Sequence, residues 1–311
     1  MSTNHSDMQI NNLSKLRRGL LNLRHKINPV IIFIGPAVIL VILISIYPTI
    51  RVLYLSTLEY SKKTFEYSFV GLQNYIALFK NPIFSKILKQ TWDFSLYSTA
   101  GHIGLGFILA LIMNSGLNRR FVSASRALIL LPWAVSPIVI AMIAQIWSHP
   151  LISPIGHVLK FFNSSIEFMP LGMPGQAMTA LIIINIWQFT PFYLLMILSA
   201  LQGIDPELYE AAKVDGATGL KQTRYITLPL IRNVLLTLTM FDFVTTAAYF
   251  DLIWVTTQGG PVRSTDVLAT FIYRAGFLTQ DWARAAAASV LLLIFVFIVA
   301  AIIQIIMRRG E

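Results

Sequence analysis

Six apolar runs, at about 30–50, 92–113, 124–147, 178–202, 232–255 and 285–307, constrain this chain more than anything else in it. Each is near the length a helix needs to cross ~30 Å of hydrocarbon. In lipid every backbone N–H and C=O must be satisfied internally, and a helix does this within one segment. The expected fold class is therefore all-α integral membrane, with six transmembrane helices forming one domain over residues 30–307. Composition agrees on the point that matters: 12% of the 311 residues are charged, where a soluble domain carries roughly 25%.

The net charge of +10 invites a nucleic-acid reading. The basic residues, however, lie in loops and tails flanking the apolar runs, which membrane topology alone produces. Membrane lipid is the expected surrounding, and no nucleic-acid partner is expected. Residues 1–29 hold Lys15, Arg17, Arg18, Arg24 and Lys26 against one acid, Asp7. They read as a basic tail, partly disordered and amphipathic toward the membrane surface. The apolar run that follows is too long for a cleavable signal peptide and lacks a small-residue cleavage site. Six spans put both ends on one side, and Lys and Arg are denser on that side, which places the tail, residues 308–311 and the loop 203–231 in the cytoplasm. Loops 148–177 and 256–284 are then external. With no cysteine, disulfides and cysteine-metal sites are excluded.

Polar residues within the spans are costly and so informative. Asn185, Gln188 and Phe192 recur at i, i+3 and i+7 and share one helical face of the fourth span. Asp242, Thr246 and Tyr249, at i, i+4 and i+7, share a face of the fifth, with Thr245 beside them. Amides, hydroxyls, a carboxylate and aromatic faces suit a sugar, through hydrogen bonds to hydroxyls and stacking on C–H faces. These residues are the candidate solute pathway; helix-to-helix glue is the competing reading. Asp242 stands out, since a carboxylate in mid-span needs a partner or water. Proline at 132 and 137 predicts a kinked or unwound third span, and Gly101, Gly104 and Gly106 predict close packing of the second.

Catalytic chemistry is not expected. Gly216 to Thr223 looks faintly like a phosphate loop, but its second glycine does not directly precede Lys221 and no strand precedes it. Neither a nucleophile triad, a paired-carboxylate site nor a metal cluster is apparent. Of His5, His25, His102, His149 and His157, His102 lies in the second span and reads as a packed or interfacial residue rather than a metal ligand.

The longest polar run between the later spans, Asp205 to Pro229, reads as two short helices joined by a corner. Asp205 is a good N-cap, Pro206 suits the first helical position and Glu207 favours the positive end. The first helix runs to about Asp215, and Gly216 follows where a left-handed residue is wanted. Thr218 can cap a second helix over 219–227, with Pro229 at the entry to the fifth span.

Within this run, Glu210-Ala211-Ala212, three residues, Gly216, nine residues, Ile226, one residue, Leu228-Pro229 resembles the EAA loop of bacterial ABC importer permeases. Leu131-Pro132-Trp133-Ala134, Gly71-Leu72-Gln73-Asn74-Tyr75, and Gly259-Gly260-Pro261 with Ser264-Thr265-Asp266 and Ile272 to Phe277 extend the likeness. They resemble carbohydrate permeases of the maltose and glycerol-phosphate type over roughly residues 30–307, although no large external insertion follows the first spans. The resemblance implies a type I ABC importer permease fold in a bacterial or archaeal cell membrane. It implies four kinds of subunit: this permease, a second non-identical permease, an ATPase dimer and an external solute-binding protein. ATP and Mg would be used by the ATPase, with no cofactor bound by this chain. Coupling to the ATPase would fall on Glu210, Ala211, Ala212, Asp215, Gly216, Ile226, Leu228 and Pro229. An oligosaccharide is the implied solute class, with glycerol phosphate as an alternative. An ion-coupled transporter using Asp242 is the alternative from another class.

Overall fold

The computed structural model describes residues 29–61, 66–115, 118–162 and 168–309. The basic tail lies outside them, apart from Pro29, as do residues 310–311. The chain divides after Tyr54 into two compact units.

The first unit holds helix α1 (Pro29–Val41), a wider π-type turn at Ile42–Ile46, and α2 (Tyr47–Leu55), which runs into the second. Together they make one apolar span, with its windings loosened just ahead of Pro48. Proline lacks an N–H and its ring presses on the carbonyl four residues earlier, so a widened turn is a low-cost accommodation.

The second unit opens with an antiparallel hairpin, β1 (Leu58–Ser61) and β2 (Glu66–Phe69), registered Leu58 to Phe69 and Ser61 to Glu66. This pair is a small addition to a helical fold. Asn74 ties the following helix α3 (Gln73–Lys80) to the strand, donating to Ser56 O and Leu58 O at 2.9 and 2.7 Å. Helix α4 (Pro82–Asn114) is 33 residues long and begins ten residues before the expected span, capped by Asn81 with Pro82 at its first position.

The third span is broken rather than merely kinked. Helices α5 (Arg119–Ala134) and α6 (Pro137–Trp147) meet at 95° around Val135-Ser136, between two prolines. The segment after it forms a short helix, α7 (Pro154–Phe162), before α8 (Ala177–Gln202) crosses as a single rod. Helices α9 (Pro206–Val214) and α10 (Gly219–Gln222) form the corner. Helix α10 does not stop at Pro229. It passes through a π-type turn, Thr223–Thr227, directly into α11 (Leu228–Ala247). The π turn again sits two residues ahead of a proline. After a break at Ala248, α12 (Asp251–Thr257) completes a nearly continuous 39-residue element from Gly219. Helix α13 (Leu268–Tyr273) and the terminal span α14 (Trp282–Arg308) finish the fold. Five helices are long and apolar enough to cross a membrane, and six if the bent pair counts as one span, among the described residues.

The core is strung along α4, which packs chiefly on α8 and also on α11. Its first turns join α13 and α14 through Phe84, Ile87, Phe271 and the alanines Ala285, Ala287 and Ala288. Phe94 joins α6, α8 and α12, and Ala110 joins Leu194, Ile197 and Ile231. Gly106 sets the α4–α8 spacing: a Cβ there would come within 3.1 Å of Leu194 N. Gly104 does not pack as expected, since nothing lies within 4 Å of where its Cβ would be. Between Phe94 and Ala110 the buried face of α4 turns polar, with Ser95, Ser98, Thr99 and His102.

Candidate functional site

Two places hold the polar groups that the sequence singled out. The first is the corner. Asp205 Oδ1 accepts from Glu207 N at 2.9 Å, Pro206 follows it, and Glu207 and Lys213 sit at the favoured ends of the helix dipole. Helix α9 closes with two backbone bonds, Ala217 N to Ala212 O at 2.8 Å and Gly216 N to Lys213 O at 3.0 Å. That closure demands a left-handed residue at 216, and Gly216 has φ +76°. Thr218 stands at the N-cap of α10, but its side chain makes no capping bond. The two arms are fastened by Tyr209 Oη against Thr227 Oγ1 at 2.9 Å and by Gln222 Nε2 donating to Ala217 O at 3.2 Å.

Glu210, Ala211, Asp215, Gly216, Leu228 and Pro229 are exposed on this corner, while Ala212 and Ile226 are half-buried. Three residues that motif reading passed over share the surface: Val214, Leu220 and Tyr225, 89%, 82% and 70% exposed. Hydropathy could have flagged them, because apolar side chains at these positions face away from their own helices' packing. The corner thus presents an exposed acid among uncovered apolar side chains.

The second place is a polar layer where α4, α8 and α11 meet. The sequence placed Asn185, Gln188, Asp242 and Thr246 on two helical faces, and all four are buried. Asp242 finds the partner its position demanded in His102, which sequence reading left as a packing residue. His102 Nδ1 lies 3.1 and 3.0 Å from the two Asp242 carboxylate oxygens, and Nε2 lies 3.0 Å from Asn185 O. Thr246 Oγ1 donates to Asp242 Oδ1 at 3.4 Å. The Tyr193 ring stacks on the imidazole with centroids 5.4 Å apart. No local sequence signal joins His102 to Asp242, which is 140 residues away.

Gln188 reaches both helix breaks. Its Nε2 donates to Val135 O at 3.5 Å, at the bend of the third span, and its Oε1 accepts from Tyr249 Oη at 3.4 Å, where α11 has ended. Phe192 stacks on Trp133, the tryptophan of the Leu-Pro-Trp-Ala stretch, with centroids 5.6 Å apart. Irregular backbone at membrane depth is tolerated where protein or a cavity supplies its hydrogen bonds, and such breaks are where transporters place solute contacts. Thr245 departs from this group: it is exposed, and its hydroxyl is spent on Phe241 O and Asp242 O of its own helix. Asn185 Oδ1 is buried without a hydrogen-bond partner among the described residues.

No group of three or more acidic or histidine side chains positioned for a metal occurs among the described residues.

Comparison with known proteins meets this geometry. Residues 103–310 match the family described as "Binding-protein-dependent transport system inner membrane component". The chain is 34% identical over 234 residues to the trehalose/maltose transport system permease protein MalF of Thermococcus litoralis, covering 74% of this chain and 77% of that one. It is 32% identical over 277 residues to the sn-glycerol-3-phosphate transport system permease protein UgpA of Escherichia coli, covering 88% and 91%. Its fold matches a chain of a bacterial ABC transporter involved in the import of the acidic polysaccharide alginate. That match has a TM-score of 0.80 at 22% identity and covers 96% of this chain and 99% of the other. The chain therefore belongs to the inner-membrane component family of binding-protein-dependent transport systems: it is a multi-pass permease of the ABC importer type.

Proposed function

We propose that this permease is one of two unlike transmembrane subunits of an ATP-driven importer for a sugar, and that it takes its solute from an external solute-binding protein. Both chain ends and the corner at Gly216 face the cytoplasm in this reading. The chain itself performs no chemistry on the solute. An ATPase dimer using ATP and Mg seats on the corner, with Glu210, Ala211, Ala212 and Asp215 against it and Gly216 setting the turn. Ile226, Leu228 and Pro229 carry the movement inward along the second arm.

The observation that carries this reading is the continuity of α10 with α11. At 1.5 Å per residue, the stretch from Gly219 to Asp242 makes a rod about 35 Å long. One end of it lies on an exposed corner and the other in the polar layer. A push at the corner must therefore be felt beside Asn185, Gln188, Phe192 and Tyr249, where amide, hydroxyl and aromatic groups suit a carbohydrate.

Glycerol phosphate is the second reading, because this chain is about as similar to a glycerol-phosphate permease as to a trehalose/maltose one. The polar layer favours the sugar. Its ionisable groups are Asp242 and His102, which face each other, and a phosphate would need a free Arg or Lys.

The test is purification of tagged permease from its native membrane, with and without Glu210→Lys, followed by uptake in proteoliposomes. Wild type should bring down an ATPase and a second permease, and support ATP-dependent uptake of a neutral oligosaccharide. The variant should lose the ATPase while remaining in the membrane. Permease that comes down alone in both cases would overturn the proposal and return Asp242 to consideration as an ion-coupling site.

A further inference from the structure

Both nitrogens of the buried His102 ring have oxygen neighbours, and counting protons restricts what the contact can be. Asn185 O is a backbone carbonyl and only accepts, so Nε2 at 3.0 Å carries a proton. A second proton must lie between Nδ1 and Asp242, because facing lone pairs at 3.0 Å would repel strongly between two side chains this deeply buried. That proton can sit on the imidazole or on the carboxyl. Either way the pair has zero net charge.

The contact joins three spans. Helix α4 supplies the ring, α8 the carbonyl and α11 the carboxylate. Both ring nitrogens are spent in these contacts and the side chain is 1% exposed, so His102 has nothing left to offer a solute directly. What it does hold is the far end of the α10–α11 rod and the backbone of Asn185, whose own Oδ1 remains buried and unpartnered among the described residues. On its other sides the ring meets Tyr193 and Phe189, and the carboxylate meets Thr246.

We propose that His102 is a positioning residue of the transport cycle. With Asp242 it forms an electroneutral clasp that makes α8 move with α11, so displacement of the corner reaches the face bearing Asn185, Gln188 and Phe192. The clasp rests on the importer reading above. It deepens that reading by naming the link between the rod and the solute face. It also explains why α11 tolerates a carboxylate in mid-span, since the charge is cancelled within the protein.

The charge logic separates the clasp from ordinary packing. His102→Gln leaves the Asp242 carboxylate buried without its partner, whereas adding Asp242→Asn removes that charge and lets two amides face each other. The experiment reconstitutes the whole transporter with its binding protein in proteoliposomes. It measures solute moved per ATP hydrolysed for wild type, both single variants and the double variant. His102→Gln should lower that ratio about tenfold or more, and the double variant should recover most of the loss, because neighbours acting as one unit are not additive. A wild-type ratio in His102→Gln, or a double variant no better than His102→Gln, would overturn the clasp. If His102→Gln fails to assemble, the comparison of Asp242→Asn with the double variant decides. Equal ratios support a shared unit, and a further loss in the double variant overturns it. A wild-type transporter that moves no solute with ATP would overturn the importer reading and the clasp together, whereas the variant outcomes strike the clasp alone.

Discussion

Tyr249 Oη donates to Gln188 Oε1 at 3.4 Å, from just beyond the end of α11 to the middle of α8. The same amide donates to Val135 O where the third span bends through 95°. One side chain therefore serves two places at which the helical ladder is interrupted. Gln188 thereby supports the local backbone and stands beside groups a sugar could use.

Gln188→Ala would leave the Val135 carbonyl and the Tyr249 hydroxyl without this partner, at a cost of about 1–3 kcal/mol if no water enters. We expect a lower melting temperature for the detergent-solubilised complex and an altered solute preference in competition uptake assays. Unchanged selectivity would remove this face from the pathway. Retained assembly with the ATPase would show that the corner is untouched.

At the corner, Gly216→Val should cost about 1–2 kcal/mol through backbone strain alone, because φ is +76° and no neighbour would meet the new Cβ. Gly216→Asn should recover most of that loss, since asparagine tolerates the left-handed region. Pull-down of the ATPase by the two variants checks the pair. Equal binding by both would mean the turn is not the element being recognised.

Leu220→Asp tests the exposed surface with little risk to the fold. The side chain is 82% exposed, so stability should change by about 0.5 kcal/mol or less. Affinity for the ATPase should fall by about tenfold if Leu220 lies in the buried centre of the contact. Titration of purified ATPase onto permease in nanodiscs gives the number, and thermal melting controls for folding.

Gly106→Leu probes the α4–α8 approach. The first added carbon would already lie 3.1 Å from Leu194 N and 3.2 Å from Tyr193 Cβ, and forced overpacking costs about 1–3 kcal/mol. Membrane expression and melting should both drop. Gly104→Leu, on a side with no neighbour within 4 Å, should be tolerated in the same assay.

Much of the architecture was legible in the residue pattern because lipid imposes a simple rule. Apolar runs must become helices, and their number and approximate places follow. The corner was legible too: Asp205, Pro206, Gly216 and the EAA-like spacing act within a few residues of one another, where local backbone chemistry decides the outcome. The hairpin at Leu58–Phe69 was not legible, because its pairing depends on neighbours such as Asn74 as much as on strand propensity. Pro229 pointed to a boundary, yet the chain widens a turn at Thr223–Thr227 and keeps α10 and α11 as one rod.

The sequence by itself determined that this chain is helical in a membrane and that it bears an exposed cap-and-corner element of the permease family. Those properties depend on hydropathy over about 20 residues and on caps within one helical turn. Only the tertiary structure decided which polar residues meet. His102 and Asp242 are 140 residues apart, and nothing in the periodicity of either helix specifies the other. Their meeting depends on the angle and depth at which α4 crosses α8 and α11. That crossing is set in part by a glycine at 106 that lets the two backbones approach, and packing of that kind has no local signature in the chain.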